Sequence, residues 1–214
     1  LVAGGAGFIG SRVVDGLVGE GLGVRVLDNL SGGALDNLAR HEGDPRVEVA
    51  VRGLKRVEGV EKAIEGAGAV FHYAANPGVR VSTTNPEIRF NGNVVASFNL
   101  LEAMRREGVG EMVFASSSSV YGEPDEVPVG EEAPARPVSV YGASKAACES
   151  LIHAYSKLYG IKAVVLRYAN VVGPRLRRGV VYDFVVKLRK NPKRAGDTRR
   201  REAGEELRVR GRRR

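Results

Sequence analysis

Three side chains in this sequence could together move a proton. In SVYGASK, residues 139–145, Tyr141 and Lys145 stand four apart with only Gly142, Ala143 and Ser144 between them. On a helix, positions i and i+4 share a face, so phenol and ammonium would point the same way. Free tyrosine ionises at about pH 10, and each pKa unit by which a neighbouring cation favours the phenolate corresponds to about 1.36 kcal/mol. Tyr141 would then be a general base near neutral pH. Ser117, in FASSSSVYG (114–122), precedes Tyr141 by 24 residues and can hold and orient a substrate hydroxyl. Ser118 and Ser119 adjoin it and share its chemistry. The small residues after Tyr141 would leave room for a flat ligand. Taken alone, a YxxxK pair reads equally well as a surface helix pair.

The elements around these residues alternate. SRVVDGLVGEG reads as a helix, with Val13, Val14, Leu17 and Val18 at helical spacing and a stop at Gly21. VRVLD (24–28), VEVAV (47–51) and AVFHYAA (69–75) read as strands, and GVEKAIEGA as a short helix. Residues 93–107 form an amphipathic helix, EMVFASSSS a strand entering a polar loop, and YGEPDEVPVGEEAPARP a Pro-rich loop. A long helix ends at Gly160, and KAVVLRYANVVG reads as another buried strand. Such alternation predicts an α/β fold: a doubly wound parallel sheet with helices on both faces. The first strand is short, and the chain begins at Leu1. The expectation is that this strand has lost its beginning.

GGAGFIG sets Gly4, Gly7 and Gly10 at GxxGxxG spacing, after a strand and opening a helix. Glycines allow a tight turn and let backbone N–H groups approach a pyrophosphate, to which the helix N-terminus adds its positive end. Asp28 ends the next strand, 18 residues after Gly10. There it would accept hydrogen bonds from ribose hydroxyls and repel a 2′-phosphate, which favours NAD over NADP. The plainer alternative is an unliganded turn with Asp28 as a helix cap. In FHYAAN, Ala74 and Ala75 fall where backbone must come close to a dinucleotide; His72 reads as a packed strand histidine. An oxidised nicotinamide would add its positive charge to that of Lys145, and Lys145 can bond the nicotinamide ribose.

Composition narrows the classes further. The chain of 214 residues is 43% hydrophobic, enough for one well-buried core. No apolar run approaches the roughly 20 residues of a membrane span, and the N-terminal stretch lacks a signal-peptide pattern. The single cysteine, Cys148, forms no internal disulfide, which fits a reducing cytoplasm. His41, His72 and His153 show no metal spacing, so no metal site is expected. The net charge is +8, but residues 187–214 hold 13 Lys/Arg and four Asp/Glu, while the remainder holds 20 and 21. The basicity belongs to the tail, where a solvated, disordered segment is expected ahead of a nucleic-acid arm.

In combination, GGAGFIG, LDNLSGG, FHYAANPGVRVS, NVVASFNLLEA, FASSSSVYGE, SVYGASKAACE and LRYANVVGPR resemble the extended short-chain dehydrogenase/reductases. Within that group the chain is similar to the UDP-glucose (UDP-galactose) 4-epimerases, from Leu1 to about Pro192. The resemblance implies a Rossmann-like NAD-binding domain over 1–192, followed by a basic tail over 193–214. It assigns catalysis to Ser117, Tyr141 and Lys145. Tyr141 would take the sugar 4-OH proton while NAD takes the C4 hydride, and the 4-keto sugar would rotate before hydride returns. Cofactor contacts fall on Gly4, Gly7, Phe8, Ile9, Gly10, Asp28, Asn29, Ala74, Ala75, Asn93, Tyr141 and Lys145. Contacts to the nucleotide sugar, a UDP-hexose, fall on Ser117, Ser118, Tyr141 and Asn170. Asn93 reads alternatively as a helix cap. The family's homodimer packs the helices at 93–107 and 141–159 into a four-helix bundle.

Two departures accompany the resemblance. Family members carry an aspartate after the third strand that contacts adenine, whereas this chain has Gly53 near that position, so reduced cofactor affinity is expected. Members are also longer, with a C-terminal part that supplies most of the sugar pocket. The arginine-rich end suggests a truncated or frame-shifted reading, with weak substrate binding and little activity expected. Other readings stay open on the same scaffold. A 4,6-dehydratase carries Thr-Asp-Glu where this chain has Ser117-Ser118-Ser119, so the acid needed to eliminate water is missing. A net dehydrogenase or reductase shares the YxxxK chemistry, and an inactive NAD-binding remnant would keep only the glycine loop.

Overall fold

A computed structural model describes residues 1–55, 57–76, 86–177 and 179–191. The expected tail at 193–214 and part of FHYAANPGVRVS lie outside the described residues. The chain divides into two units after Val171. In the second, a turn in which Leu176 N–H donates to Gly173 O precedes a helix at Val180–Lys190.

The first unit is built on a six-stranded, wholly parallel sheet. Its strands are β1 (Val2–Ala3), β2 (Val24–Asp28), β3 (Val47–Val51), β4 (Val70–His72), β5 (Glu111–Ser117) and β6 (Lys162–Tyr168). Their order is 3-2-1-4-5-6, the Rossmann order, in which chain direction across the sheet reverses between β1 and β4. Strand alternation divides the apolar residues between two faces. Val2, Val26 and Val24 pack with Val14 and Val18 of α1 (Phe8–Gly19). Ala3, Leu27, Met112 and Phe114 pack under α2 (Val57–Ile64), α4 (Ala96–Glu107) and α5 (Val140–Tyr159). Both faces of the central strands are covered, which is why β2 sends apolar residues to both, Val24 and Val26 to one and Leu27 to the other.

The helix expected over 93–107 starts earlier and less regularly. A single turn, α3 (Glu87–Arg89), runs into a π-helical segment at Phe90–Val95 and then into α4. Widened turns of this kind occur often at functional sites. The strand expected from KAVVLRYANVVG is also not buried throughout. As the edge strand, β6 pairs only with β5, and Val164 is 56% exposed.

Leu100 and Leu101 on α4 are fully buried in the larger cluster. Leu100→Ala is expected to lower the unfolding free energy by about 2–5 kcal/mol. Leu22→Ala, at an exposed position, should change it by less than about 0.5 kcal/mol. Urea denaturation of the two variants tests this contrast.

Candidate active site

The site gathers at the C-terminal edge of the sheet, where the β1 and β5 loops meet the start of α5. Gly4 has φ +81° and lies against β4, so that a Cβ there would stand 2.5 Å from Ala74 N. A Cβ on Gly10 would stand 2.1 Å from Gly4 O. The turn is therefore closed on itself and on Ala74, and leaves no space for side chains. Gly7 caps α1 with no side-chain hydrogen bond, and the first turn holds no acidic residue. By helix geometry the N–H groups of Phe8, Ile9 and Gly10 face outward without helical partners. Asp28 is buried at the end of β2. Its carboxylate accepts from Ala6 N–H at 3.0 Å and Leu30 N–H at 2.8 Å, so it braces both loops while keeping lone pairs for a ligand. Asn29 is exposed and accepts from Ser31. Near Gly53 there is room: a Cβ would meet only the Asn29 side chain, at 3.7 Å.

Ser139 caps α5 by accepting from Gly142 N–H at 3.0 Å, which puts Tyr141 in the first turn. Ser117, at the end of β5, stands close enough to the Tyr141 phenol to favour its ionisation. Ser119 donates to Ser117 Oγ at 2.8 Å, whereas Ser118 is exposed on the turn. Asn170 is exposed just beyond β6, at the same sheet edge. The small residues after Tyr141 do not open a groove. A Cβ on Gly142 would stand 2.4 Å from Ser119 O, so Gly142 is small because the helix start docks on the serine turn. Ser144 is buried, donating to Tyr141 O at 2.7 Å and accepting from Asn93 Nδ2 at 2.8 Å. Only Ala143 is exposed.

Lys145 lies one turn after Tyr141 on the same helix. It is 2% exposed, donates to Ala115 O at 2.6 Å and lies over the Phe114 ring at 4.6 Å. Burial pulls its pKa down to about 8. Tyr141 is pushed above its usual value by burial, drawn back by the nearby Ser117 hydroxyl and the Arg89 charge, and raised by Cys148. His72 is fully buried beside Ser97, at 2.9 Å, and burial lowers it to about 3. It is a neutral core histidine. Asn93 is no helix cap: it is 2% exposed and accepts from Asn76 N–H at 2.8 Å. Sequence reasoning missed Asn76, Ser144 and Arg89. Arg89, a charged residue one turn before Asn93, was the only visible signal. A separate cleft lined by Leu1, Arg25, Arg46 and Glu48 opens at the N-terminal edge of the sheet and shares no residue with this site.

A model of the NAD dependent epimerase/dehydratase family matches residues 1–208. The chain belongs to this family. A UDP-glucose 4-epimerase of Lacticaseibacillus casei is 42% identical over 176 residues, covering 80% of this chain and 51% of its own length. The crystal structure of a UDP-galactose 4-epimerase is similar with TM-score 0.81 at 54% identity, covering 89% of this chain and 62% of that one. A dTDP-glucose 4,6-dehydratase of Streptomyces venezuelae, solved with NAD bound, has TM-score 0.84 at 32% identity, covering 88% and 61%. The chain thus spans about half to three fifths of the length of these relatives. NAD is the family's cofactor, and the closed glycine turn and uncapped α1 fit a pyrophosphate there.

Two outcomes follow from this geometry. Gly10→Ala should abolish NAD binding measured by calorimetry, because its Cβ strikes the Gly4 carbonyl; Gly53→Asp, which has room, should tighten it. The second concerns stability. Unfolded Lys145 keeps its proton up to 10.5, while the folded residue releases it near 8. Between those values the unfolded state binds more protons, so stability rises with pH, by up to about 1.4 kcal/mol per pH unit. Lys145→Met removes this rise, as chemical denaturation across pH 8 to 10.5 would reveal.

Proposed function

We propose that this chain carries the reaction centre of an NAD-dependent nucleotide-sugar 4-epimerase that interconverts UDP-glucose and UDP-galactose. The observation that carries the reading is that Ser117, Tyr141 and Lys145 gather at the sheet's C-terminal edge, beside a glycine turn shaped for a dinucleotide. Bound NAD supplies the hydride acceptor and donor. Tyr141 Oη takes the proton of the sugar 4-hydroxyl and returns it after the sugar has presented its other face. Ser117 Oγ orients that hydroxyl, and Asn170 is placed to meet the nucleotide sugar. Lys145 holds the floor of the site through Ala115 O and adds positive charge. The serine run at 117–119 supports epimerisation over the 4,6-dehydratase reading, since dehydration needs an acid there. Exposed Phe98, Leu158 and Tyr159 on α4 and α5 support a homodimer through these helices. The described residues contain no helix long and apolar enough to cross a membrane, and the buried free thiol of Cys148 supports a reducing, cytoplasmic setting.

Conversion of UDP-galactose by the purified chain with NAD, followed by chromatography, tests the reading. UDP-glucose should form without net NADH. Tyr141→Phe should slow it about 100- to 10,000-fold, and Ser117→Ala should also slow it. Steady NADH accumulation would instead indicate a dehydrogenase.

A further inference from the structure

Ala6 sits inside the glycine turn and is wholly buried. Its N–H donates to Asp28 Oδ2 at 3.0 Å. Its carbonyl accepts twice, from Ala34 N–H at 3.0 Å and from Asn37 Nδ2 at 2.8 Å. A carbonyl oxygen has two lone pairs, and the segment after β2 fills both. The same segment presses on the turn, since a Cβ on Gly33 would stand 2.7 Å from the Ala6 carbonyl carbon.

Asn37 is buried and belongs to a 3₁₀ segment at Leu35–His41. That segment is tied to α1 a second time. His41 Nε2 and Asp15 Oδ1 lie 2.8 Å apart, with side chains 6% and 9% exposed. Asp15 stands about two turns beyond the start of α1 at Phe8. Between the two ties, Leu38 packs in the cluster that holds Val14 and Val18 of α1. Asp15 also meets Arg12 at 3.4 Å and Arg40 at 3.5 Å, but both arginines are exposed, and such pairs hold weakly.

We propose that Leu35–His41 is a splint for the dinucleotide turn, and that Asn37 is a positioning residue for NAD. One end of the splint holds the peptide just before the helix, and the other holds the helix two turns in. The angle between the glycine turn and α1 is thereby fixed before any ligand arrives. The N–H groups of Phe8, Ile9 and Gly10 are aimed together in the free protein. A site whose competent form is only partly populated binds more weakly in proportion to that fraction. Holding the form in advance raises affinity with no new contact to the ligand. Cutting either tie therefore acts on NAD through Ala6 and α1. The inference rests on the glycine turn as the NAD site and not on the sugar chemistry.

Calorimetric titration of the purified chain with NAD tests it, as a double-mutant cycle on variants that circular dichroism melts show folded at the titration temperature. Asn37→Leu, which removes the side-chain donor, should weaken NAD binding about fivefold, the equivalent of one net hydrogen bond. His41→Leu, remote from the turn, should weaken it about threefold. The double variant should bind no more weakly than Asn37→Leu, because the far tie is idle once the near one is cut. If Asn37→Leu does not fold, Asn37→Ser takes its place in the cycle. Unchanged affinity in the folded Asn37 variant overturns the proposal. So do losses that multiply in the double variant, which would mark two independent structural roles, and so does a parent chain that binds no NAD. If the cycle reads as stated while the chain converts no UDP-galactose, the splint stands and the epimerase reading falls.

Discussion

The candidate site depends on the buried hydrogen bond between Asn93 and Ser144. It joins two helices far apart in sequence and fixes their register. A hydrogen bond is worth only about 1 kcal/mol net, but leaving either buried partner unsatisfied costs about 1–3 kcal/mol. Misregister is therefore expensive. The same amide accepts from Asn76 N–H, which ties the loop after β4 to α5.

Around that contact, close backbone approach does the rest. Gly4 and Gly10 let the β1 loop fold against β4, and Gly142 lets the start of α5 sit on the carbonyl of Ser119. Each approach would be blocked by one methyl group. The parallel sheet supplies the common edge: β1, β4 and β5 end together, and the loops after them meet where the strand order reverses.

The electrostatics of the site come from burial more than from spacing. Desolvation pushes the Tyr141 phenol up, Lys145 down and His72 to a permanently neutral state. A phenol so placed becomes a base only with a cation and a donor directed at its oxygen. The Ser117 hydroxyl favours its ionisation, and the lysine one turn away donates to a strand carbonyl.

Much of the fold was legible because its signals are local. The runs at 24–28 and 47–51 became strands over those same residues, and the glycine spacing placed the tight turn at the start of α1. That Ser117 and Tyr141 would gather at one edge was readable from parallel-sheet geometry, since strand ends and helix starts lie together there. Exposure of β6 was not readable, because an edge strand and a central strand share the same apolar composition. Nor did spacing show where Lys145 points, as i, i+4 fixes a face but not the acceptor it meets. The sequence alone determined the element order, the dinucleotide turn and the residue types at the site, all products of short-range sterics and periodicity. Only the tertiary structure decided that Gly142 and Ser144 are small for helix docking and that Arg89 is buried. Those facts arise from contacts between segments distant in sequence, such as Asn93 and Ser144, 51 residues apart, whose register no local pattern encodes.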